Sequence, residues 1–217
     1  RFEPAVVKVG MAQRHAQSRI ARRFGDGTLG AVHRLALGDA DFLRTGSAGT
    51  VARCGHGGPS LADWAAEQFA HADALIFVGA VGIAVRAIAP HCRSKAVDPA
   101  VVVLDECGHF AVPILSGHLG GANDLARALA AVCGAVPVIT TATDANGVFA
   151  VDAWDRHQNC AVLEPGRIKR VSSRLLAGGP VRYRSEFPIA GQAPAGVVPA
   201  GEAERADFAL TLFPAGD

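Results

Sequence analysis

The sequence has almost no excess of charge of either sign. Its 217 residues include 21 Lys and Arg against 20 Asp and Glu, which leaves a formal net charge of +1. Proteins that hold a nucleic acid backbone carry a basic excess or a basic stripe. The balance therefore predicts no nucleic acid partner, and a local basic patch is the one alternative it leaves open.

Cysteine pairs and long apolar runs are also lacking. An odd number of widely spaced cysteines, with no C-x-x-C pair, argues against a disulfide framework and against structural zinc. No apolar stretch approaches the ~18 residues of a membrane span, and no signal segment opens the chain. We therefore expect a cytoplasmic protein without membrane contact. The cysteines are Cys54, Cys92, Cys107, Cys133 and Cys160.

What the sequence does contain, from about residue 60 onward, is a regular alternation of helical and strand-like segments. Apolar residues recur at helical spacing in SLADWAAEQFAHA, with Ser60 as a candidate N-cap. Continuous apolar runs such as ALIFV are typical of strands buried on both faces. PAVVVLDECGHFAVPIL predicts a strand and a hairpin, and Gly134 is a candidate C-cap. The alternation predicts a Rossmann-like α/β fold, with a mostly parallel sheet and helices on both faces.

The character of the sequence changes after residue 160. PGRIKRVSSRLLAGGP is typical of an amphipathic helix and VRYRS of a strand, and the tail is rich in Pro, Gly and Ala. We predict an α/β amino-terminal domain over residues 1–160 and a small α+β module over residues 161–217. Residues 1–60 have a less clear pattern, within which 45–58 is interpreted as a mobile loop.

Four segments rich in glycine and polar residues follow predicted strands. Ligands of open parallel sheets gather outside the carboxyl ends of the strands, so we predict that these loops share one edge and form one site. Amides at the helix starts after Gly82 and Gly121 would bind a carboxylate or a phosphate there. Arg86 is expected to pair with a substrate carboxylate, with a surface arginine as the alternative. The other candidate binding residues are Gly79, Ser116, Gly117, Gly120, Asn123, Thr140, Thr141, Thr143 and Asn146.

Of the residues in these segments, His118, which lies among the glycines of LSGHLGGAND, has the most specific chemistry. Its imidazole titrates in the range useful for proton transfer. We predict His118 as the general base, with Asp105 or Glu106 to orient it, and Asp144 as a further catalytic candidate. A core histidine and ordinary turns are the alternatives. A covalent role for Ser116 is disfavoured because its spacing from His118 does not build a nucleophile elbow. The remaining histidines, His109 among them, are interpreted as surface or packing residues.

These motifs together resemble a known family. GIAVRAIAP, DPAVVVLDECG, SGHLGGAN and TTATDANG follow one another over about seventy residues and resemble the amino-terminal domain of the cobalt-precorrin-5A hydrolase family of anaerobic cobalamin biosynthesis. VRYRSEFPIAGQAPAGV is similar to the family's middle region. Residues 1–60 match only weakly, and the family's usual carboxy-terminal domain is missing. We therefore expect a fragment, a split protein or a shortened homologue.

The resemblance implies a reaction: opening of the δ-lactone of cobalt-precorrin-5A, with loss of acetaldehyde, to give cobalt-precorrin-5B. Because the substrate carries the cobalt, no cofactor and no metal site on the protein are expected. The implied partners are the cobalt-corrinoid, a separate carboxy-terminal domain or other pathway enzymes, and a second copy of the chain. The alternatives are a corrinoid-binding or carrier subunit without chemistry of its own and a generic nucleotide-binding protein, although neither GAVG nor GHLGG completes the G-x-G-x-x-G motif.

Overall fold

A computed structural model describes residues 7–11, 49–53, 59–158 and 160–211. The mobile loop predicted at residues 45–58 is wrong for Gly49–Arg53, which form a β-strand, and its remaining residues lie outside these ranges. Contacts divide the chain into two compact units, Arg1–Ile139 and Thr140–Asp217.

The first unit contains a six-stranded sheet and three α-helices among its described residues. In chain order they are β1 (Val7–Met11), β2 (Gly49–Arg53), α1 (Leu61–His71), β3 (Ala74–Val78), α2 (Val81–Ile88), β4 (Ala100–Leu104), β5 (Phe110–Leu115), α3 (Ala122–Cys133) and β6 (Val136–Pro137).

The strands lie in the order β2-β1-β3-β4-β5-β6. The first four of these are parallel, whereas β5 runs antiparallel to β4, with Leu104 beside Ala111 and Val101 beside Leu115. The predicted hairpin and the mostly parallel sheet are therefore confirmed. Since the chain leaves β1 for β2 on one side and later adds β3 on the other, the strand order reverses between β1 and β3. Such a switch point is where open α/β sheets bind ligands.

Each face of the sheet is covered by helices, as predicted. One core joins residues of β3 and β4, such as Ile76 and Val102, to the buried side of α3. The other joins Leu75 and Phe77 to α1 and α2, and Trp64 meets Phe77 edge-on with ring centroids 5.4 Å apart. Both faces of the central strands are thus apolar, and full burial of each large side chain contributes about 1.5–3 kcal/mol.

The predicted helix ends are confirmed where local chemistry determines them. Ser60 Oγ accepts a hydrogen bond from the Asp63 N–H at 3.1 Å and donates one to Asp63 Oδ2 at 2.6 Å, which closes the start of α1. Gly134 ends α3 with a φ of 67°, in the left-handed region that glycine adopts without strain.

Among its described residues, the second unit contains three short α-helices and a three-stranded sheet. Its elements are α4 (Ala142–Ala145), α5 (Val151–His157), α6 (Ile168–Leu176), β7 (Val181–Ser185), β8 (Val197–Pro199) and β9 (Phe208–Leu210). The central strand β7 is parallel to both neighbours. The amphipathic helix and the VRYRS strand were predicted correctly.

The boundary between the two compact units lies between Ile139 and Thr140, whereas the sequence predicts it between residues 160 and 161. The reason is tertiary packing, because α4 and α5 both contact α6. No helix within the described ranges is long and apolar enough to cross a membrane.

Candidate functional site

The carboxyl ends of β3 and β4 place two predicted segments side by side. The Gly79 N–H donates to the Leu104 carbonyl at 2.9 Å, which ties the start of α2 to the hairpin that leaves β4. Gly79 is buried and has a φ of 148°, a conformation that side-chain-bearing residues rarely adopt. We call this side of the sheet the carboxyl edge; it comprises Gly79, the first turn of α2 and the hairpin loop 105–109.

Helix α2 begins at the carboxyl edge with exposed and unsatisfied backbone donors. Its N-cap is Ala80, which has no side-chain hydrogen bond, and its first turn has no acidic residue. Among the described residues, no hydrogen-bond acceptor is found for the N–H groups of Val81 and Gly82. The positive end of the helix dipole is therefore uncompensated within the described chain, as an anion-binding helix start requires.

Arg86 lies one turn further along α2 and is exposed. Its Nη1 atom donates to the Gly82 carbonyl at 3.1 Å, so the guanidinium folds back toward the start of the helix. A carboxylate held by the first-turn amides would meet this positive charge. The predicted role of Arg86 in carboxylate binding remains a prediction.

The hairpin loop is organised by the Asp105 carboxylate. One oxygen accepts from the Cys107 N–H at 2.8 Å and the other from the Phe110 N–H at 2.6 Å. Gly108, with a φ of 67°, closes the turn by donating to the Asp105 carbonyl at 2.9 Å. His109 Nδ1 lies 3.8 Å from Asp105 Oδ1. The loop thus carries a carboxylate, a thiol and an imidazole in one small space.

Sequence reasoning missed two of these groups. The sequence pattern indicates a surface or packing role for His109 and presents Cys107 only as one of several dispersed cysteines. The available signal was the alternation D-x-C-x-H across a hairpin turn, which brings every second side chain of the loop together. Glu106, the other catalytic candidate in this loop, is half-buried.

The loop from Ser116 to Asn123 lies at the opposite end of the strands, beside the start of β4, and we call this end the amino edge. Because β5 is antiparallel to β4, it ends beside Val101, and Ser116 Oγ donates to the Asp98 carbonyl at 2.9 Å. The prediction that this loop shares one edge with Gly79 is therefore wrong. The two ends of β4 are about 16 Å apart, because its five residues rise ~3.3 Å each, and Asp105 follows the end that is far from Ser116. The idea that Asp105 or Glu106 orients His118 stays a prediction.

The backbone of this second loop is tightly constrained. Ser116 is buried and has a φ of 55°, and a Cβ on Gly120 would lie only 2.5 Å from Ser116 Cβ. Gly121, with a φ of 83°, is the N-cap of α3. The glycines are therefore needed because the chain passes very close to itself in this turn. This agrees with the alternative that the stretch is an ordinary turn.

The amides at the start of α3 are occupied, which contradicts their predicted role as anion donors. The N–H groups of Gly121, Ala122 and Asn123 donate to the carbonyls of His118, Ser116 and Gly117 at 2.9, 3.1 and 2.9 Å. The Ser116 hydroxyl is likewise engaged, in agreement with the low weight given to a covalent serine mechanism. His118 is half-buried, and its catalytic role remains a prediction.

The segment from Thr140 to Gly147 belongs to the second unit and contains one short turn of helix. Thr141 Oγ1 donates to Asp144 Oδ2 at 2.5 Å, and Asn146 Nδ2 donates to the Ala142 carbonyl at 2.8 Å. Thr143 is buried. These contacts match the turn alternative, and the binding roles predicted for Thr140, Thr141, Thr143 and Asn146 stay predictions, as does the catalytic role of Asp144.

A pair of buried carboxylates on α5 was also missed. Asp152 and Asp155 are 6% and 9% exposed and stand three residues apart, on one face of the helix. Burial first, and the charge of Asp152 second, raise the pKa of Asp155 to about 6. The signal in the sequence was the D-x-x-D spacing in a helix whose other positions are mostly apolar.

The sheet order and the switch point define a doubly wound α/β domain. Residues 63–144 match the family described as cobalamin synthesis G N-terminal. The resemblance noted in the sequence is confirmed for these residues.

Relatives with known names also match part of the chain. A cobalt-precorrin-5A hydrolase of Salmonella typhimurium is 56% identical over 118 residues, which are 54% of this chain and 34% of that protein. One of Priestia megaterium is 48% identical over 82 residues, 38% of this chain and 22% of the relative. The match thus spans about a third or less of these relatives.

A solved structure shares the fold. The crystal structure of a cobalamin biosynthesis protein G homolog from Sulfolobus solfataricus superposes with a TM-score of 0.51 at 19% identity, and the match covers 94% of this chain and 58% of that one. The α/β fold class predicted from the sequence is therefore confirmed.

Proposed function

We propose that this chain is the corrinoid-binding part of a cobalt-precorrin-5A hydrolase in cobalamin biosynthesis. The reaction would open the δ-lactone of cobalt-precorrin-5A and release acetaldehyde, giving cobalt-precorrin-5B. The names of the relatives support the pathway and the type of enzyme. The observation that carries the binding role is the uncapped start of α2 at the switch point of the sheet.

The carboxyl edge suits a substrate of this kind. A corrin macrocycle has an apolar ring edged with acetate and propionate carboxylates, so it needs both apolar contact and anion donors. The free amides of Val81 and Gly82, with the Arg86 guanidinium beside them, supply the donors. Val81 and Val85 are 39% and 44% exposed and offer apolar contact on the same helix.

The chemistry then requires one acid–base group near the lactone. Water must lose a proton as it attacks the lactone carbonyl, and the alkoxide released from the lactone must gain one. The carbinol must then lose its hydroxyl proton as its C–C bond to the macrocycle breaks, so that acetaldehyde leaves and the electron pair passes into the macrocycle. One group can serve both steps in turn. We propose Glu106 for this role, because it belongs to the hairpin loop of the carboxyl edge. His118 would take the role only if the lactone reached the amino edge, about 16 Å from Asp105 by the ~3.3 Å rise of each strand residue.

Single-turnover release of acetaldehyde tests the proposal and separates the two candidate bases. Wild type, Glu106→Gln and His118→Ala are each mixed with cobalt-precorrin-5A and with the carboxy-terminal region of a relative, supplied as a separate protein. Glu106→Gln should slow release by about 10²- to 10⁴-fold, the usual loss for one acid–base group, while His118→Ala releases acetaldehyde like wild type. The reverse pattern would transfer the role to His118 and move the site to the amino edge.

A non-catalytic corrinoid carrier is the second candidate, because the open start of α2 would bind a corrin carboxylate whether or not a reaction follows. The absorption spectrum of the corrinoid reports binding independently of chemistry. Binding without acetaldehyde from any combination of proteins would identify a carrier. Failure to bind the corrinoid at all would refute both functions.

A further inference from the structure

We propose that the hairpin loop is a binding site for a divalent transition metal ion of the zinc or cobalt(II) type, held by Asp105, Cys107 and His109. One ligand atom from each residue lies within 4.8 Å of the other two. Asp105 Oδ1 and His109 Nδ1 are 3.8 Å apart. Ligand atoms around a tetrahedral zinc ion stand roughly 3.3–3.8 Å apart, given metal–ligand bonds of about 2.0–2.3 Å. Closing the remaining gap needs side-chain movement of about 1 Å.

The side chains are free enough to make that movement. The side chains of His109 and Asp105 are 38% and 32% exposed, so neither is locked in a packed core. Cys107 is half-buried, and it is reduced rather than part of a disulfide. The site is also open to solvent, which a metal ion needs in order to enter.

The backbone of the loop is already in place. The Asp105 carboxylate accepts from the N–H groups of Cys107 and Phe110, and each carboxylate oxygen retains a further lone pair for a metal. The His109 carbonyl accepts from the Val136 N–H at 2.7 Å, which fixes the main chain below the imidazole. Metal-binding carboxylates are typically oriented by hydrogen bonds of this kind.

The donor set determines the class of ion. A thiolate and an imidazole favour Zn²⁺ and Co²⁺ over Mg²⁺ and Ca²⁺, which prefer oxygen ligands only. A carboxylate and a thiolate together neutralise two positive charges. Three protein ligands leave one position of a tetrahedron open, as in zinc sites that bind water or a ligand. Metal binding at this loop does not depend on the proposed function and is measured without any corrinoid.

Titration of the full chain with Co²⁺ tests the site directly. Coordination by Cys107 gives a thiolate-to-cobalt charge-transfer band in the near ultraviolet, which should saturate at one equivalent and disappear when Zn²⁺ is added. Cys107→Ser should abolish the band, and His109→Ala should weaken Co²⁺ binding at least tenfold. Cys92→Ser is the matched control, since Cys92 is exposed and lies outside the hairpin; it should bind like wild type.

Two results would overturn the site. One is the absence of a saturable band in the wild-type chain, which would mean that the three side chains are close without binding metal. The other is a band that survives in Cys107→Ser, which would locate the metal at another cysteine. Circular dichroism of each variant verifies that the fold is intact, and neither Cys107→Ser nor His109→Ala removes a contact of the hydrophobic cores.

Discussion

Replacing Asp155 by Asn should stabilise the second unit, and only above a defined pH. Burial and the neighbouring Asp152 raise the pKa of Asp155 from an ordinary 3.8 to about 6. The folded chain therefore holds this proton more tightly than the unfolded chain does. Below pH ~4 both states hold the proton, and the free energy of unfolding is not reduced. It falls as the pH rises from ~4 to 6, and above pH 6 it is reduced by the full amount.

The size of the effect follows from the shift. Each pKa unit corresponds to about 1.36 kcal/mol, so the raised pKa costs the folded state up to about 3 kcal/mol at pH 7. Asn has nearly the same volume and no charge. Asp155→Asn should thus gain up to about 3 kcal/mol over wild type at pH 7, and the gain should vanish near pH 4.

Urea unfolding at pH 4, 5, 6 and 7 provides the measurement. Trp154 is adjacent to Asp155 on α5, and replacement of Trp64 by Phe in every protein leaves Trp154 as the only tryptophan signal. Glu67→Gln, at an exposed position of α1, is the control and should change stability by less than about 0.5 kcal/mol at any pH. A variant less stable than wild type at pH 7, or a difference that does not vary with pH, would refute the reasoning.

Three further substitutions test the packing and the binding edge. Gly120→Ala should destabilise the first unit by about 1–3 kcal/mol, because its Cβ would overlap Ser116. Gly166→Ala is the control and should not destabilise the protein, because open space surrounds Gly166. Equal urea midpoints for the two variants would contradict this prediction. Arg86→Ala should weaken corrinoid binding about tenfold or more, since a hydrogen bond to a charged group contributes about 1.5–3 kcal/mol, with Arg127→Ala on α3 as the control. Ser60→Ala should lower the melting stability of the first unit by about 1 kcal/mol through loss of the helix cap, and an unchanged transition would disprove that role.

The sequence by itself determined the elements whose causes are local. Continuous apolar runs identify β3 and β4 because both faces of a central strand must be apolar. Ser60 and Gly134 mark helix ends because capping depends on a few neighbouring backbone groups. The family resemblance likewise follows from residues that stand together in the chain, and the match of residues 63–144 confirmed it.

Only the tertiary structure decided which of these segments meet. The tight hairpin after Leu104 reverses the chain, so Ser116 and Gly79 lie at opposite edges although both follow strands. The same reversal brings Asp105 and His109 together. Packing of α4 and α5 against α6 sets the boundary between the units, and burial beside Asp152 sets the pKa of Asp155. Strand direction and burial are properties of the assembled chain, because each depends on residues that sequence spacing alone does not bring into contact.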